Sequence, residues 1–246
     1  MKSVFEQHRS IRKYSNRVVD DDVILKIVNA AVRGSSTGNM QLYSIILTTN
    51  PKVKEELMPL HFNQPMVRNA PLVFTFCIDI NRFSKWCRLR GAEPCFDNFL
   101  WFSTALTDTV IAAENAAVEA ENQGLGICFL GTAMYNAEKI AGVLDLPAGV
   151  VPVVALTAGY PAEDPPLTER LSYKAVLHFE HYHDYSDDDI EKYFGEFEAL
   201  DKIKQIVEEK NLPDLAHVFC QNRYPKKNGD IFAEKYLEFV RKSFNI

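Results

Sequence analysis

This chain of 246 residues has little cysteine, and its cysteines follow no pairing or metal-binding pattern. The five cysteines are odd in number and none is spaced as C-x-x-C, which argues against a disulfide framework and against a structural zinc site. We therefore expect reduced cysteines in a cytoplasmic protein. An apolar N-terminal signal core is also missing, and no apolar run approaches the roughly 20 residues that span a bilayer. We expect neither export nor membrane insertion.

Positive charge and common catalytic motifs are lacking as well. The formal net charge is −6, which argues against a broad nucleic-acid surface. No H-E-x-x-H or P-loop motif is found, so zinc-hydrolase and P-loop NTPase chemistries have no support. Three histidines, His178, His181 and His183, lie close together, but their spacing matches no specific zinc pattern. We expect exposed or stacked histidines there and no metal site.

The hydrophobic pattern predicts helices and strands that intermix along the chain. Helices are predicted over 3–10, after the acidic residues 20–22, and over 98–123; strands are predicted over 43–49, 71–79 and the Val-rich 149–161. The longest helix is apolar over most of its circumference, so we expect it to be buried in a core or in a subunit interface.

The character of the chain changes near residue 180. Polar and aromatic residues precede two amphipathic helices, predicted around 187–209 and 230–243. These residues resemble an extension more than a second core, so the pattern predicts a mixed α/β layer with a helical tail.

Potential cations gather in "EQHRSIRKY" (6–14), ahead of any obvious core. Arginine offers planar, bidentate donors for phosphate or carboxylate, and serine adds a short donor. Arg9 and Arg12 are three residues apart, so on a helical turn they share a face. Two interpretations stay open: a phosphate site that uses these arginines, and a solvated basic helix end that suits the helix dipole.

The loop "SSTGNMQ" (35–41) supplies hydroxyls, amides and a glycine directly after a predicted helix stop. Asn39 and Gln41 alternate with Met40 before a strand. This arrangement allows both side-chain amides to contact a heteroaromatic ring. The alternative is an ordinary loop, because loops favour these residue types.

The glycines of "GLGICFLG" (124–131) close a helix and enter a strand. This order is the reverse of a Rossmann fingerprint, so we do not expect that fold. Gly124 fits a helix C-cap. Gly131 ends an apolar strand, where backbone without a Cβ can approach a flat ligand.

Four segments, "HRSIRKY", "SSTGNMQ", "GLGICFLG" and "PLTERLS", follow one another in this order. Together they resemble the flavin-dependent nitroreductase family, in particular its oxygen-insensitive NADPH nitroreductases and flavin reductases. The resemblance implies an α+β fold: a three-layer α/β sandwich with a mixed central sheet, a long buried interface helix and a helical C-terminal extension. It also implies an FMN-binding core over 1–180 and an extension over 181–246 that wraps a dimer.

The same resemblance implies a homodimer that holds FMN at the subunit interface. The family's segment that binds the FMN phosphate and ribityl chain corresponds here to His8, Arg9, Ser10 and Arg12. Lys13 is expected to lie in solvent. The loop that reaches the flavin from the partner subunit corresponds to Ser36, Thr37, Asn39 and Gln41. The ring system is met by Gln64 and by the backbone of Leu130 and Gly131. A second phosphate-binding arginine corresponds to Arg170.

The implied activity is an oxidoreductase in which hydride passes from NADPH or NADH through flavin N5 to a nitroaromatic, quinone or related acceptor by a ping-pong mechanism. The alternative is a flavin-binding module with little or no turnover. Three departures from the family motivate it. Thr168 stands where relatives often carry lysine, Thr132 stands where they carry a second glycine, and the tail is not arginine-rich.

Overall fold

The computed structural model describes residues 3–244, and its centre is a sheet of four antiparallel strands in the order β1-β2-β4-β3. The strands are β1 Tyr43–Thr48, β2 Leu72–Asp79, β3 Gly126–Leu130 and β4 Val150–Gly159. The pairing of Tyr43 with Ile78, and of Ile78 with Val151, fixes the register across three of them. The Val-rich run predicted as a central strand is β4, which lies between β2 and β3.

The helices are distributed along the whole described chain. They are α1 Val4–Gln7, α2 Asp21–Val32, α3 Pro51–Leu60, α4 Pro65–Asn69, α5 Asn81–Leu89, α6 Phe99–Asn122, α7 Ala137–Val143, α8 Asp187–Glu198, α9 Asp201–Lys210, α10 Leu215–His217 and α11 Lys226–Phe244. Short 3₁₀ segments cover Thr37–Asn39, Gly131–Asn136 and Tyr173–Ala175, and a π-helical turn covers Val218–Arg223. No helix within residues 3–244 has the length and hydropathy needed to cross a membrane.

Helices cover both faces of the sheet. On one face, α2 and α6 bury Ile27 and Ala116 against Phe74 of β2. On the other face, α3, α4 and α7 bury side chains such as Leu57 and Ile140 against β3 and β4. The predicted α+β class and three-layer sandwich are therefore confirmed. Within the described residues, the parallel component of the sheet is confined to one bridge, between Ser10 and Ile127.

The long helix α6 lies in the core of this chain. Its alanines let it approach the sheet closely, and the buried ones run along one face: Ala105, Ala112, Ala113, Ala116, Ala117 and Ala120. Gly124 follows the helix with a φ of +78°, which confirms the predicted helix stop. The side chain of Asn98 caps its first turn by accepting from the N–H of Trp101 at 3.2 Å.

The aromatic residues of the segment between β2 and α6 pack on one another. The ring centroids of Phe83 and Phe96 lie 5.0 Å apart, and those of Phe96 and Trp101 lie 4.9 Å apart, both in edge-to-face geometry. The rings therefore supply local packing for this segment.

The predicted first helix is wrong in its extent, because α1 ends at Gln7. The residues after it adopt extended backbone, since the N–H of Ile11 donates to the carbonyl of Ile127 at 2.7 Å. A strand-like segment presents alternate residues to opposite sides. Arg9 and Arg12 consequently do not share a face, contrary to the helical argument.

The described chain divides into two compact units, one formed by 3–166 with 232–244 and the other by Leu167–Ile231. In the second unit the predicted helix over 187–209 is two helices, α8 and α9, separated at Ala199 and Leu200. The predicted helix over 230–243 begins earlier, at Lys226.

The histidine group of the second unit is held by local hydrogen bonds. His178 accepts at Nδ1 from the N–H of His183 at 3.3 Å, and its Nε2 lies 3.1 Å from the hydroxyl of Tyr185. Its ring also stacks on Tyr182, with centroids 4.5 Å apart. Both nitrogens of His178 are thus engaged within the protein. No group of three potential metal ligands is found among residues 3–244.

Candidate functional site

The segment that follows α1 adds to the edge of the sheet at β3. Ser10 forms a parallel bridge with Ile127, and Ile11 is buried against Gly126. A Cβ built on Gly126 would lie 2.6 Å from the Cβ of Ile11, closer than side-chain atoms approach one another. The segment therefore docks here because residue 126 is a glycine.

Tyr14 fixes the far end of this segment. Its hydroxyl donates to the carbonyl of Ile11 at 2.7 Å and lies 2.8 Å from the hydroxyl of Thr157 on β4. Burial raises the pKa of the Tyr14 phenol, so it stays protonated at any physiological pH. The segment is thus tied to both β3 and β4.

The cations of this segment face different surroundings. The side chains of Ser10 and Arg12 lie beside the Cys128 thiol and lower its pKa, but burial raises that pKa by more, which keeps the thiol protonated. Arg9 turns to the other side, where its guanidinium pairs with Asp164 and donates to the carbonyl of Pro165 at 3.0 Å. Arg12 is therefore the arginine that accompanies Ser10, whereas the charge of Arg9 has a carboxylate partner.

Two carboxylates that the motif does not contain hold the segment in place. Glu163 accepts from the N–H groups of Arg12 at 2.6 Å and Lys13 at 3.0 Å, and the Arg12 hydrogen bond in particular holds its pKa below the usual value. Glu121 lies 2.8 Å from Nδ1 of His8, and burial raises its pKa against the opposing effect of His8. Of these two carboxylates, only Glu121 could have been noticed in the sequence, because it is an acidic residue in the last turn of a largely apolar helix.

A second group of predicted residues lies where β3 ends. Leu130 is buried in a cluster with Met66 and Val67 of α4, the helix that Gln64 precedes. Gly131 is exposed, and no atom lies within 4 Å of the place where its Cβ would stand. Gln64 makes no capping hydrogen bond with its side chain. A flat ligand can therefore approach the backbone at Gly131 without meeting a side chain there.

His61, three residues before Gln64, is a fully buried residue that sequence analysis missed. Its Nδ1 lies 2.8 Å from the hydroxyl of Thr132, and its Nε2 has no partner among the described residues. Burial lowers the pKa of His61 from 6.5 to about 4. The imidazole is therefore neutral at physiological pH.

This buried imidazole predicts a specific pH dependence of stability. In the unfolded chain His61 binds a proton below pH 6.5, whereas in the folded chain it does so only near pH 4. The free energy of unfolding therefore keeps its full value above pH 6.5 and falls as the pH drops from 6.5 to about 4. The expected loss is about 3 kcal/mol. Urea unfolding between pH 7.5 and 4 should show it in the native protein, and His61→Asn should lose less. Parallel losses in both proteins would remove His61 as the cause.

The polar loop 36–41 is organised around a buried carboxylate, that of Asp108 on α6. Asp108 is 1% exposed and accepts from the hydroxyl of Ser36 at 2.8 Å and the N–H of Thr37 at 3.0 Å. The Ser36 hydroxyl in turn accepts from the N–H of Gln41 at 2.7 Å. A lone acidic residue in the apolar run "LTDTVIAA" is the signal that sequence analysis did not use.

The same loop contains strained backbone. Asn39 and Gln41 have positive φ values, 56° and 53°, and Asn39 is exposed. Arg82 donates to the carbonyl of Gln41 and, at 3.2 Å, to that of Tyr43. The hydroxyl of Ser36 and the backbone N–H of Thr37 are therefore occupied by structural hydrogen bonds.

The structure brings two of the predicted groups together and places a third at the opposite edge of the sheet. The segment His8–Arg12 and the pair Leu130–Gly131 share the edge strand β3. The loop 36–41 leads into β1 at the opposite edge, three strand spacings or roughly 14 Å away. Arg170 belongs to the second unit, where its guanidinium donates to the carbonyls of Thr168 and Glu169 at 3.3 and 3.4 Å.

Comparison with known proteins agrees with this architecture. The model of the Nitroreductase family matches residues 5–160. FMN reductase (NADPH) of Bacillus subtilis (strain 168) is 34% identical over 183 residues, which cover 74% of each chain. A crystal structure from Bacteroides fragilis NCTC 9343, whose assignment as an oxidoreductase is provisional, has a TM-score of 0.96 at 40% identity over 98% of both chains. A nitroreductase of B. subtilis has a TM-score of 0.84 at 28% identity over 96% of both chains. This chain therefore belongs to the nitroreductase family.

Proposed function

We infer that this chain is an FMN-dependent oxidoreductase with NADPH or NADH as co-substrate. The observation that carries the inference is the edge strand β3. Ser10 and Arg12 lie beside this strand, and Gly131 leaves open space at its end. Gly131 lies four positions after Ile127, which is roughly 13 Å along the strand. An anion-binding group and an unobstructed stretch of backbone thus lie on one strand, in a family whose relative in B. subtilis is named an FMN reductase that uses NADPH.

The residues present fit FMN. Arg12 and Ser10 provide a guanidinium and a hydroxyl for a phosphate. The space in front of Gly131 accepts a flat ring system, and Gln64, which precedes a helix packed against Leu130, offers an amide donor and acceptor. Arg170 is proposed as a further phosphate ligand on the strength of the family resemblance alone.

Bound FMN supplies the redox chemistry, which is hydride transfer from the nicotinamide and onward to an acceptor. The chain binds and orients it. Arg12 offsets the negative charge of the phosphate, and Glu163 keeps the backbone of Arg12 in place through its hydrogen bond at 2.6 Å. Amide donors near the ring stabilise negative charge that develops there on reduction. Nitroaromatics and quinones are the proposed acceptors, in a ping-pong cycle in which co-substrate and acceptor use the same face in turn.

We further propose a homodimer in which the loop 36–41 of the partner completes the site. Within one chain this loop begins β1, at the edge of the sheet opposite β3. Within one chain the loop thus lies three strand spacings from β3, and a symmetric copy can bring the same loop to a ligand there. A cytoplasmic location is proposed with it, because all five cysteines have free thiols.

Purified protein should be yellow, with about one FMN per chain, and should oxidise NADPH or NADH when menadione or nitrofurazone is present. Absorbance spectra before and after addition of the reduced nicotinamide measure both properties. Bound FMN without turnover would favour a flavin-binding module. A colourless protein that FMN does not reconstitute would exclude both functions.

Replacing Arg12 with alanine should weaken FMN binding about 10- to 100-fold, because a charge-assisted hydrogen bond to phosphate contributes about 1.5–3 kcal/mol. Fluorescence titration measures the Kd. Lys13→Ala is the matched control, since that side chain neighbours the site with no hydrogen bond from its ammonium group, and it should change the Kd little. Riboflavin, which lacks the phosphate, should bind Arg12→Ala as it binds the native protein. Equal FMN affinity in the two variants would reject the role of Arg12.

A further inference from the structure

His61 and Thr132 link two segments that flank the proposed ring site. Residues 60–63 comprise the end of α3 and the turn after it, and the 3₁₀ segment Gly131–Asn136 follows β3. Besides the 2.8 Å contact between His61 and Thr132, the side-chain amide of Asn136 donates to the carbonyl of Leu60 at 2.7 Å. Two hydrogen bonds therefore hold the two segments together as one wall of the site.

The first of these segments is held in a strained conformation. Phe62 and Asn63 both have a φ of 56°, although neither is a glycine. Such backbone persists only where its surroundings fix it. The ring of Phe62 packs edge-to-face on Tyr135 at 5.7 Å, across the same pair of segments. The burial of His61 and its bond to Thr132 are thus part of a constrained turn directly before Gln64.

The unpartnered Nε2 of His61 indicates which ring nitrogen carries the proton. The imidazole is neutral, because burial lowers its pKa to about 4. A hydrogen on Nε2 would be a buried donor without an acceptor, an arrangement that is rarer in proteins than an unused acceptor. The proton therefore belongs on Nδ1, which donates to the Thr132 oxygen. That bond leaves the hydroxyl hydrogen of Thr132 available to another acceptor.

We propose that Thr132 donates its hydroxyl hydrogen to the flavin ring, and that His61 is the positioning residue that orients this hydroxyl. Thr132 directly follows Gly131, where open backbone meets the ring, and it is only half-buried. The proposal rests on the FMN-dependent function stated above.

Variants of Thr132 test the donor itself. Thr132→Val keeps the shape and removes the hydroxyl, so the Kd for FMN and the Kd for riboflavin should both rise about fivefold, the effect of one hydrogen bond. The visible absorption spectrum of bound FMN should shift, and Thr132→Ser should restore both properties. Thr49→Val, an exposed threonine after β1, is the matched control and should change neither. Unchanged affinity and an unchanged spectrum in Thr132→Val would overturn the proposal.

Variants of His61 test the positioning. His61→Asn places an amide donor near the position of Nδ1 and should retain FMN affinity and spectrum, whereas His61→Leu should lose them as Thr132→Val does. In the double variant His61→Leu/Thr132→Val the loss of FMN affinity should equal that of either single variant, because His61 acts through Thr132. Additive losses would reject the coupling.

Nitrogen-15 NMR of the FMN-free protein gives a readout independent of activity, and it should find the His61 hydrogen on Nδ1. A hydrogen on Nε2 would overturn the proposal. Failure of the native protein to bind FMN would instead refute the proposed function, while the NMR result and the thermal stability of the variants would still be measured.

Discussion

Replacing Gly126 with alanine should weaken FMN binding about 10- to 100-fold while most of the fold is kept. The added Cβ would meet the Cβ and Cγ1 of Ile11 at 2.6 Å, so the segment that carries Ser10 and Arg12 would have to leave the edge of β3. Overpacking of this kind costs about 1–3 kcal/mol. If FMN binds only to the docked segment, each 1.4 kcal/mol of docking energy that is lost weakens the affinity for FMN about tenfold.

The control for this change is Gly142→Ala in α7. No atom lies within 4 Å of the place where a Cβ on Gly142 would stand, and alanine favours a helix by up to about 1 kcal/mol over glycine. Gly142→Ala should therefore bind FMN normally and unfold at slightly higher urea. FMN titration measures the affinity of the two variants, and urea unfolding measures their stability. Native FMN affinity in Gly126→Ala would show that docking of this segment on β3 does not form the site.

Replacing Asp108 with alanine should destabilise the protein by about 3 kcal/mol, because three donors that now share its buried carboxylate would lose their acceptor. These donors are the hydroxyl of Ser36 and the N–H groups of Thr37 and Leu42, at 2.8, 3.0 and 3.5 Å. The loop 36–41 should lose its conformation first, since these bonds hold it to α6. Loss of the loop should also weaken FMN binding if the partner subunit supplies it.

Asp108→Asn keeps one oxygen as an acceptor and should be less destabilising than Asp108→Ala. Asp97→Ala, an exposed carboxylate before α6, is the control and should change stability by less than about 0.5 kcal/mol. Urea unfolding gives the stability, and sedimentation velocity with FMN titration reports on association and binding. A stability of Asp108→Ala equal to that of the control would show that the buried carboxylate does not organise the loop.

Local sequence patterns predicted the elements that carry their own signal. The apolar run at 71–79 is β2, buried along its whole length, because residues covered on both faces of a sheet have no polar side to alternate with. The long helix is α6, since its alanines and leucines favour a helix and leave no polar face. Local residues also start α3: the side chain of Asn50 accepts from the N–H of Lys52 at 2.9 Å, and Pro51 occupies the first turn.

Contacts between residues distant in the chain were beyond prediction from sequence. The first helix was predicted too long because the pairing of Ile11 with Ile127, across the sheet edge, outweighs local helix propensity in this segment. The same extended backbone turns Arg9 toward Asp164 and leaves Arg12 with Ser10, a division that the spacing of the motif does not contain.

The sequence by itself determined the family, the α+β class and the residue types available to hold a phosphate and a ring. Only the tertiary structure decided how they are used. Asp108 and Ser36 are 72 positions apart, and His61 and Thr132 are 71 apart, so no local pattern connects them. Burial makes both pairs important for stability, because a carboxylate or an imidazole removed from water must form its hydrogen bonds within the protein.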